Sequence, residues 1–507
     1  MLFGPFRLDN TRSALTRDGD TVPLGQHSYA LIKALVEAGG ATVSRQALIE
    51  RAWPGVVVED GNLTVQIAAL RKALEPCVDG EWVVTVPRRG YRLGVSASDP
   101  NDATGTPQGV RPALAVLPFS NISGDPAQEY FADGVVEDII TALSRFRLFT
   151  VVARNSSFVY KGRTVDVRKI GQELDVRYVL EGSVRRVGNK LRVAAQLIDA
   201  PSGTHLWAHN FDGSVDNVFD AQDQITEGVA AVVEPTIRRA EIERSRRKRP
   251  ERFDAYDLYL QAMAKLATRR QDENARAYGM LLESLALDPD YAPALAKAAW
   301  ALEVRFGLGW PALTKDDRAS CLTHCAAALA HANGDAGVLA NCAMSLMIGR
   351  EYEQALQVIA NATAANPNHA PAQINAGIVK LHCGNLEESL VHSWRGVEMT
   401  GHDPSNRAAA LTAVAHAQIA AGRFELALEA AERSLAVNRN FDCTYWMLTA
   451  ANVHLGRLAE GRRWLKALRA LSPTVTVATI RAGQPARFAD RIEPILEGLR
   501  LAGLPER

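Results

Sequence analysis

The chain has 507 residues, 47% of them apolar, which is enough to build packed cores and excludes a disordered chain. Lys plus Arg equals Asp plus Glu at 57 each, so the whole molecule has no net bias toward nucleic acid or membrane and any basic site must be local. Six cysteines, scattered at Cys77, Cys321, Cys325, Cys342, Cys383 and Cys443, exclude a disulfide framework and suit a reducing compartment, while the length predicts about three domains.

The opening "MLFGPFRLDN" lacks the charged-then-apolar pattern of a signal peptide. No uncharged apolar run approaches the ~18 residues that span a bilayer. A soluble, cytoplasmic protein without membrane contact is expected. Residues 1–95 mix short strands and helices. "FGPFRLD" predicts a strand, and "SALTRDG" with "DTVPL" a hairpin around Asp18-Gly19. "GQHSYALIKALVEAGG" predicts a helix stopped by Gly39-Gly40. Ser44 then caps a short helix through Arg51. After the loop "WPGVVVEDG", "NLTVQIAALRKAL" predicts a third helix, and "WVVTVPRRGYRLGV" a closing hairpin.

The third helix has an apolar stripe. Leu63, Ile67, Leu70 and Leu74 fall at i, i+4, i+7 and i+11, one face of a 3.6-residue period that must pack on the first two helices. The opposite face holds Gly61, Val65, Ala68, Ala69 and Lys72, flanked by Asn62 and Thr64, with Gln66 and Arg71 nearer the packed side.

The order of these elements, with "SRQALIERAW", "VEDGNLTVQIAALRKAL" and "TVPRRGYRL", resembles the OmpR/PhoB-type winged-helix DNA-binding domain of CadC/HilA-like regulators, an α+β fold. In that family the third helix enters the major groove and the hairpin wing reaches the adjacent minor groove. In some members the loop before the third helix contacts RNA polymerase. The resemblance implies that Asn62, Thr64, Val65, Gln66, Ala68, Ala69 and Lys72 belong to the DNA interface. It implies Arg45, Trp53 and Arg71 near phosphates, and Arg88, Arg89 and Tyr91 on or beside the wing. Many members carry arginines where this chain has Ala68 and Ala69, which weakens guanine readout; Val65 or an Ala can meet a thymine methyl instead. Residues 1–95 hold 11 Lys or Arg against 10 Asp or Glu, so a footprint must come from clustering of Arg71, Lys72, Arg88, Arg89 and Arg92. The sequence opens on this module, so control by a phosphorylated receiver domain is not expected.

Residues 96–110, "SASDPNDATGTPQGV", read as a linker. Residues 111–235 alternate strand and helix patterns: a strand at Ala113 to Phe119, a helix capped by Asp133, the strand "FTVVAR" and a helix with Ile170 and Leu174 inward. Three strands with turns at Gly188-Asn189 and Ser202-Gly203 follow, then a helix from Val218 to Val233. "AVLPF", "YFADG", "LEGSVRR" and "LIDA" resemble the TolB amino-terminal α/β module, which implies no catalysis. Asp133, Glu137 and Asp138 suit the first turn of a solvated helix better than an acid–base site. His205 and His209 alternate with Trp207 on a strand and read as structural.

The basic run 236–252 reads as a solvated helical connector. From Phe253 the chain is Ala- and Leu-rich and repetitive: "GREYEQAL" at Gly349, "GNLEESL" at Gly384, "GRFELAL" at Gly422 and "GRLAEG" at Gly456 recur at spacings of 35, 38 and 34 residues. "NPNHA", "DPSNR" and "NRNFD" keep step. Residues 253–475 resemble the tetratricopeptide repeat, an all-α solenoid whose stacked helix pairs share one core and whose concave surface binds protein or peptide. Residues 476–507 would cap it with helix. Cys321, His324 and Cys325 lie on one helix, with His331 beyond it, but without a CxxC pair the cysteines read as core positions, and neither metal nor cofactor is expected.

The expected molecule is a multidomain, non-enzymatic transcription regulator with a winged helix, a TolB-like α/β domain and a repeat solenoid. Its expected partners are double-stranded DNA, RNA polymerase, a protein or peptide at the solenoid, and a second copy of the chain. The alternative is a signalling scaffold related to cyclase-associated TolB and tetratricopeptide-repeat proteins, in which the winged helix binds protein.

Overall fold

The computed structural model describes the chain apart from residues 1, 4–5, 10–13, 18–19, 39–42, 54–59, 75–81, 87–89, 94–110, 124–127, 188–189, 215–217, 250–252 and 402. Met1–Pro107 and Gln108–Arg507 are separate compact units. The first opens with β1 (Leu2–Phe3), β2 (Phe6–Asp9), β3 (Ala14–Arg17) and β4 (Asp20–Val22), an antiparallel sheet in sequential order. Helices α1 (Gln26–Glu37), α2 (Arg45–Ala52) and α3 (Asp60–Leu74) follow. Strands β5 (Val83–Val86) and β6 (Gly90–Leu93) then pair as an antiparallel hairpin. The Ser44 hydroxyl accepts from the Ala47 amide and caps α2. The predicted stripe seals the core: Leu63, Ile67, Leu70 and Leu74 are at most 1% exposed, against Phe6, Leu15, Leu31, Leu35 and Leu48. Burial of each such side chain contributes about 1.5–3 kcal/mol, which fixes the rotation of α3 about its axis. The expected turns at Asp18-Gly19, Gly39-Gly40 and Arg88-Arg89 lie outside the described residues.

The second unit starts with β7 (Ala113–Val116), β8 (Ser120–Asn121), α4 (Gln128–Leu143), β9 (Thr150–Val151), α5 (Arg154–Ser157) and α6 (Val167–Leu174). It continues through β10 (Tyr178–Val187), β11 (Lys190–Asp199), β12 (Thr204–Ser214) and α7 (Val218–Arg246). The sheet runs β12-β11-β10-β7-β9, antiparallel on the β11 side of β10 and parallel on the β7 side. Helices α4 and α7 cover one face through Val135, Ile139, Val229 and Val233. Ile170 of α6 packs with Val179 and Ala115 on the other. Two expectations are corrected. Asp133 caps nothing, because α4 begins at Gln128 and leaves Asp133 inside the helix. The helix expected to end near Val233 runs on to Arg246, with Pro235 inside it, so much of the basic connector is its second half. Arg238, Arg244 and Lys248 are neutralised there by Asp403, Glu241 and Asp257 at 2.6, 2.5 and 2.5 Å, which removes the self-repulsion of a free basic run.

Twelve helices then pair in succession: α8 (Ala255–Leu266), α9 (Gln271–Leu287), α10 (Ala292–Leu308), α11 (Asp317–Ala330), α12 (Ala336–Ile348), α13 (Tyr352–Ala365), α14 (Ala370–Cys383), α15 (Leu386–Met399), α16 (Pro404–Ala420), α17 (Phe424–Val437), α18 (Asp442–His454) and α19 (Leu458–Leu471). Small residues such as Ala355, Ala427 and Ala430 are fully packed and let helices approach closely. Asn366 and Asn438 each accept from the amide two residues on, at 3.0 and 2.9 Å, and turn the chain between pairs. Gly422 and Gly456 take the left-handed turn, with φ 72° and 75°. In the "GREYEQAL" copy that conformation falls on Arg350, φ 68°, rather than on Gly349, so the glycine spacing misplaces this turn by one residue.

The last elements, α20 (Val477–Gly483) and α21 (Glu493–Ala502), do not simply extend the stack. The chain between them turns back along the inner helices. Gln484 Nε2 donates to Gly307 O at 2.9 Å, the Arg487 amide to His382 O at 2.9 Å, and His416 Nε2 to Arg491 O at 2.9 Å. A Cβ on Gly483 would sit 2.3 Å from Phe306 O, so glycine is required for this approach.

Burial holds His369 and His382 down at about 3 and His416 at about 4. Each folded value lies below the unfolded value of about 6.5, so the neutral rings contribute stability fully present above that pH and lost as pH falls below it. Burial raises Glu303 to about 7, which acts in the opposite sense, so the histidine share is isolated by substitution. In urea titrations, His382→Gln should lose less stability than wild type between about pH 6.5 and about pH 4. Identical pH profiles would contradict a buried neutral His382.

Candidate nucleic-acid interface

With its apolar stripe sealed inward, α3 presents Asn62, Thr64, Val65, Ala68, Ala69 and Lys72 exposed on the other side. Val65 is 64% exposed. Lys72 stands in the last turn, where a cation also complements the helix dipole.

The other expected contacts divide into those that face outward and those that build the scaffold. Arg45 donates to the Tyr91 hydroxyl at 3.1 Å and to Thr64 Oγ1 at 3.2 Å, and its guanidinium lies 5.5 Å from the Tyr91 ring. It thereby ties α2, α3 and the wing strand β6 together. Val43 and Tyr91 exchange two backbone hydrogen bonds, 2.8 and 3.0 Å, which anchors β6 to the chain before α2. That approach needs Gly90: its φ is 140°, and a Cβ there would lie 2.0 Å from Val43 O. Tyr91 is itself buried, at 4% exposure.

Gln66 accepts from the buried Ser28 hydroxyl at 2.8 Å and so braces α3 against α1. Arg71 is half-buried, and its Nε and Nη2 both donate to Val83 O, at 2.9 and 2.7 Å, fastening the end of α3 to the wing. Trp53 is half-buried and stacks on His27 with centroids 4.8 Å apart, while His27 Nδ1 bonds Ala52 O at 2.8 Å. Arg88 and Arg89 lie outside the described residues, and so does the Arg92 side chain. Residue type alone did not distinguish Arg71 from Lys72; the signal was its place near the packed side of the helical wheel.

The second unit gathers no comparable polar convergence at its sequence candidates. Asp133 takes both hydrogen bonds at 2.7 Å from Lys161, which also meets Glu129 at 3.1 Å. Glu137 pairs with Arg154 at 3.6 Å. Burial, then Asp223 and Glu137, raises the Asp138 carboxyl above its usual range. Cys321 and Cys325 point into the core, where burial pushes the Cys321 thiol up to about 12 and Cys325 Sγ donates to Cys342 O at 3.5 Å. His324 meets the Tyr278 hydroxyl at 3.3 Å and His331 meets Asp290 at 3.4 Å. Among the described residues no three His, Cys, Asp or Glu side chains form a metal-binding group, and no helix is long and apolar enough to cross a membrane.

Residues 19–93 match the family described as "Transcriptional regulatory protein, C terminal", and residues 110–228 match "HilA/YgeH-like transcriptional regulator, second domain". The chain is 42% identical over 212 residues to Putative adenylate cyclase 3 of Rhizobium meliloti, covering 42% of this chain and 36% of that protein. It is 27% identical over 201 residues to Transcriptional regulator HilA of Salmonella typhimurium, covering 39% of this chain and 34% of that protein. The matched stretches therefore span roughly a third of the length of these relatives. The solved DNA-binding domain of E. coli CadC is 27% identical, over 18% of this chain and 86% of its own, with a TM-score of 0.17. The first unit thus carries an OmpR/PhoB-type transcriptional-regulator domain, followed by a HilA-like second domain and a helical region that fits a repeat solenoid.

Arg71→Ala removes two charge-assisted hydrogen bonds to one carbonyl. It should destabilise the first unit by about 1.5–3 kcal/mol in chemical denaturation. Lys72→Ala, on the exposed side, should change stability by less than about 0.5 kcal/mol. Equal effects would refute the assignment of Arg71 to the scaffold.

Proposed function

We propose that the protein is a sequence-specific DNA-binding transcriptional regulator that acts without catalysis in the cytoplasm. The observation that carries this reading is the exposed row Asn62, Thr64, Val65, Ala68, Ala69 and Lys72 on a helix whose other face is locked in the core, within the stretch that matches a transcriptional-regulator domain. α3 enters the major groove. Small side chains at Val65, Ala68 and Ala69 let it sit deep and meet thymine methyls, while Asn62 and Thr64 read base edges. Lys72 and the wing arginines Arg88 and Arg89 hold the phosphate backbone, so affinity falls steeply with salt. Arg45, Gln66, Arg71, Trp53 and Tyr91 support these groups from behind. RNA polymerase would be met through the loop before α3.

The second unit serves as signal input, with residues 111–235 as a TolB-like module and residues 253–475 as tetratricopeptide repeats. It sets whether the DNA-binding head is free or paired with a second copy. The 64% exposure of Val65 also suits a protein contact, the scaffold reading, which predicts no DNA shift at low salt.

A mobility-shift titration of the full chain on its own promoter region, at two salt concentrations, decides between them. Arg88→Ala with Arg89→Ala should abolish most binding, and Lys72→Ala should lower the slope of log affinity against log salt by about 1. Full retention by the double variant would sink this division of roles. Deleting residues 108–507, one compact unit, should change transcription from that promoter. Unchanged output would remove the input role.

A further inference from the structure

The inner faces of α10, α12, α14, α16 and α18 line a cavity of about 140 Å³. The rest of the same unit closes its surroundings. α7 reaches the start of α16 through Arg238 and Asp403, 2.6 Å apart, and the segment between α20 and α21 crosses the far ends of the inner helices, bringing Gln484 to the cavity wall.

The cavity holds charged and polar groups that the protein leaves without partners. Arg269 sits in left-handed backbone, φ 58°, with its guanidinium 4.9 Å from the Trp300 ring and 5.0 Å from the Phe441 ring. The two rings fix the cation but accept no hydrogen bond in its plane. Arg269 Nε is buried without an acceptor, and among the described residues the side chain has no carboxylate within ion-pair distance. Glu303 is 6% exposed, and its Oε2 likewise has no partner. Trp446 Nε1 and His382 Nδ1 complete the set. Lys297 adds a second cation, 4.8 Å from the Trp300 ring and hydrogen-bonded to Asn341 at 3.2 Å.

Leaving polar atoms such as Arg269 Nε and Glu303 Oε2 buried without a partner is costly. Burial, then Arg238 and Arg269, push Lys297 down to about 7, and burial pushes Glu303 up to about 7. Two cations face one carboxylate, so the complement is an anion. A planar guanidinium pairs best with a planar carboxylate, in a bidentate fork. The remaining wall is apolar: Met344, Met347, Ile374, Ile378 and Ala413. Methionine side chains adapt to the shape of a flexible hydrocarbon.

We propose that this cavity binds a small amphipathic carboxylate, its head group held by Arg269 and its hydrocarbon body lying against Met344, Met347, Ile374 and Ile378. Occupancy gives the helical region a small-molecule input. Its regulatory meaning rests on the reading of the chain as a regulator. The binding does not, because it is measured without DNA.

The test is calorimetric titration of the full chain with octanoate, with 1-octanol as the charge-free control of equal length. Octanol is the more hydrophobic of the two, so a merely greasy cavity would prefer it. The expected result is octanoate bound at least about tenfold more tightly than octanol, a preference of about 1.4 kcal/mol. Arg269→Met should erase the preference, and Glu303→Gln, which removes the opposing carboxylate, should strengthen octanoate binding. Ala413→Phe leaves every charge in place and fills the cavity, so it should block both ligands; it decides the matter if Arg269→Met fails to fold by circular dichroism. No octanoate binding, equal binding of both ligands, or octanoate binding retained by Ala413→Phe would each overturn the proposal.

Discussion

Helix α7 is the constraint on which the larger unit depends. Its first half must bury Ile225, Val229 and Val233 against the sheet. Its second half must find counter-charges for a basic run, and it finds them on two elements at once. Glu241, fully buried, accepts from the Tyr178 hydroxyl at 2.6 Å and from Arg244, while Arg238 meets Asp403 at the start of α16. Ser245 adds a bond to Asp257 O in α8 at 3.3 Å. A buried pair of this kind is costly to break from one side, because it strands the other charge. The sheet and the helical repeats are therefore one compact unit rather than two modules on a tether.

The smaller unit solves a different problem. Helix α3 must be held in place, yet its exposed face contributes nothing to the core. Four inward apolar residues fix α3 in rotation, and a polar brace fixes it in position: Gln66 to Ser28, Arg71 to Val83 O, and Arg45 to Thr64 and Tyr91. Supporting residues of this sort control how well a recognition surface is preorganised. Apart from Lys72, the side chains left exposed are short, so most of the face carries little rotamer entropy to lose on contact.

Much of this was legible in the linear sequence. The period of Leu63, Ile67, Leu70 and Leu74 gave both the helix and its buried face, since a 3.6-residue repeat has one physical solution. The repeat hairpins were readable from recurring glycines and Asn or Asp turns for the same local reason. Where local reasoning failed, a distant partner had decided the outcome. Asp133 looked like a cap because it precedes an apolar run, but the core residues Phe131 and Ala132 extend α4 backward past it. The run from Arg238 looked solvated because its counter-charges come from as far away as Asp403. That Arg71 bonds Val83 O was not legible either, because an arginine's reach says nothing about which acceptor is nearest.

By itself, the sequence determined most of the elements, though not the start of α4 or the end of α7, together with the inward face of α3, the wing hairpin and the repeating helical pairs, because each follows from propensity and periodicity over a few turns. Tertiary structure alone decided which polar residues are committed to scaffold, how α7 joins the sheet to the repeats, and where the chain after α20 lies. It also decided that Arg269, Lys297, Trp300, Glu303 and Phe441 meet around one cavity. The physical reason is that a charge or a hydrogen-bonding group declares its role only through its partner, and here the partners come from other elements of the fold.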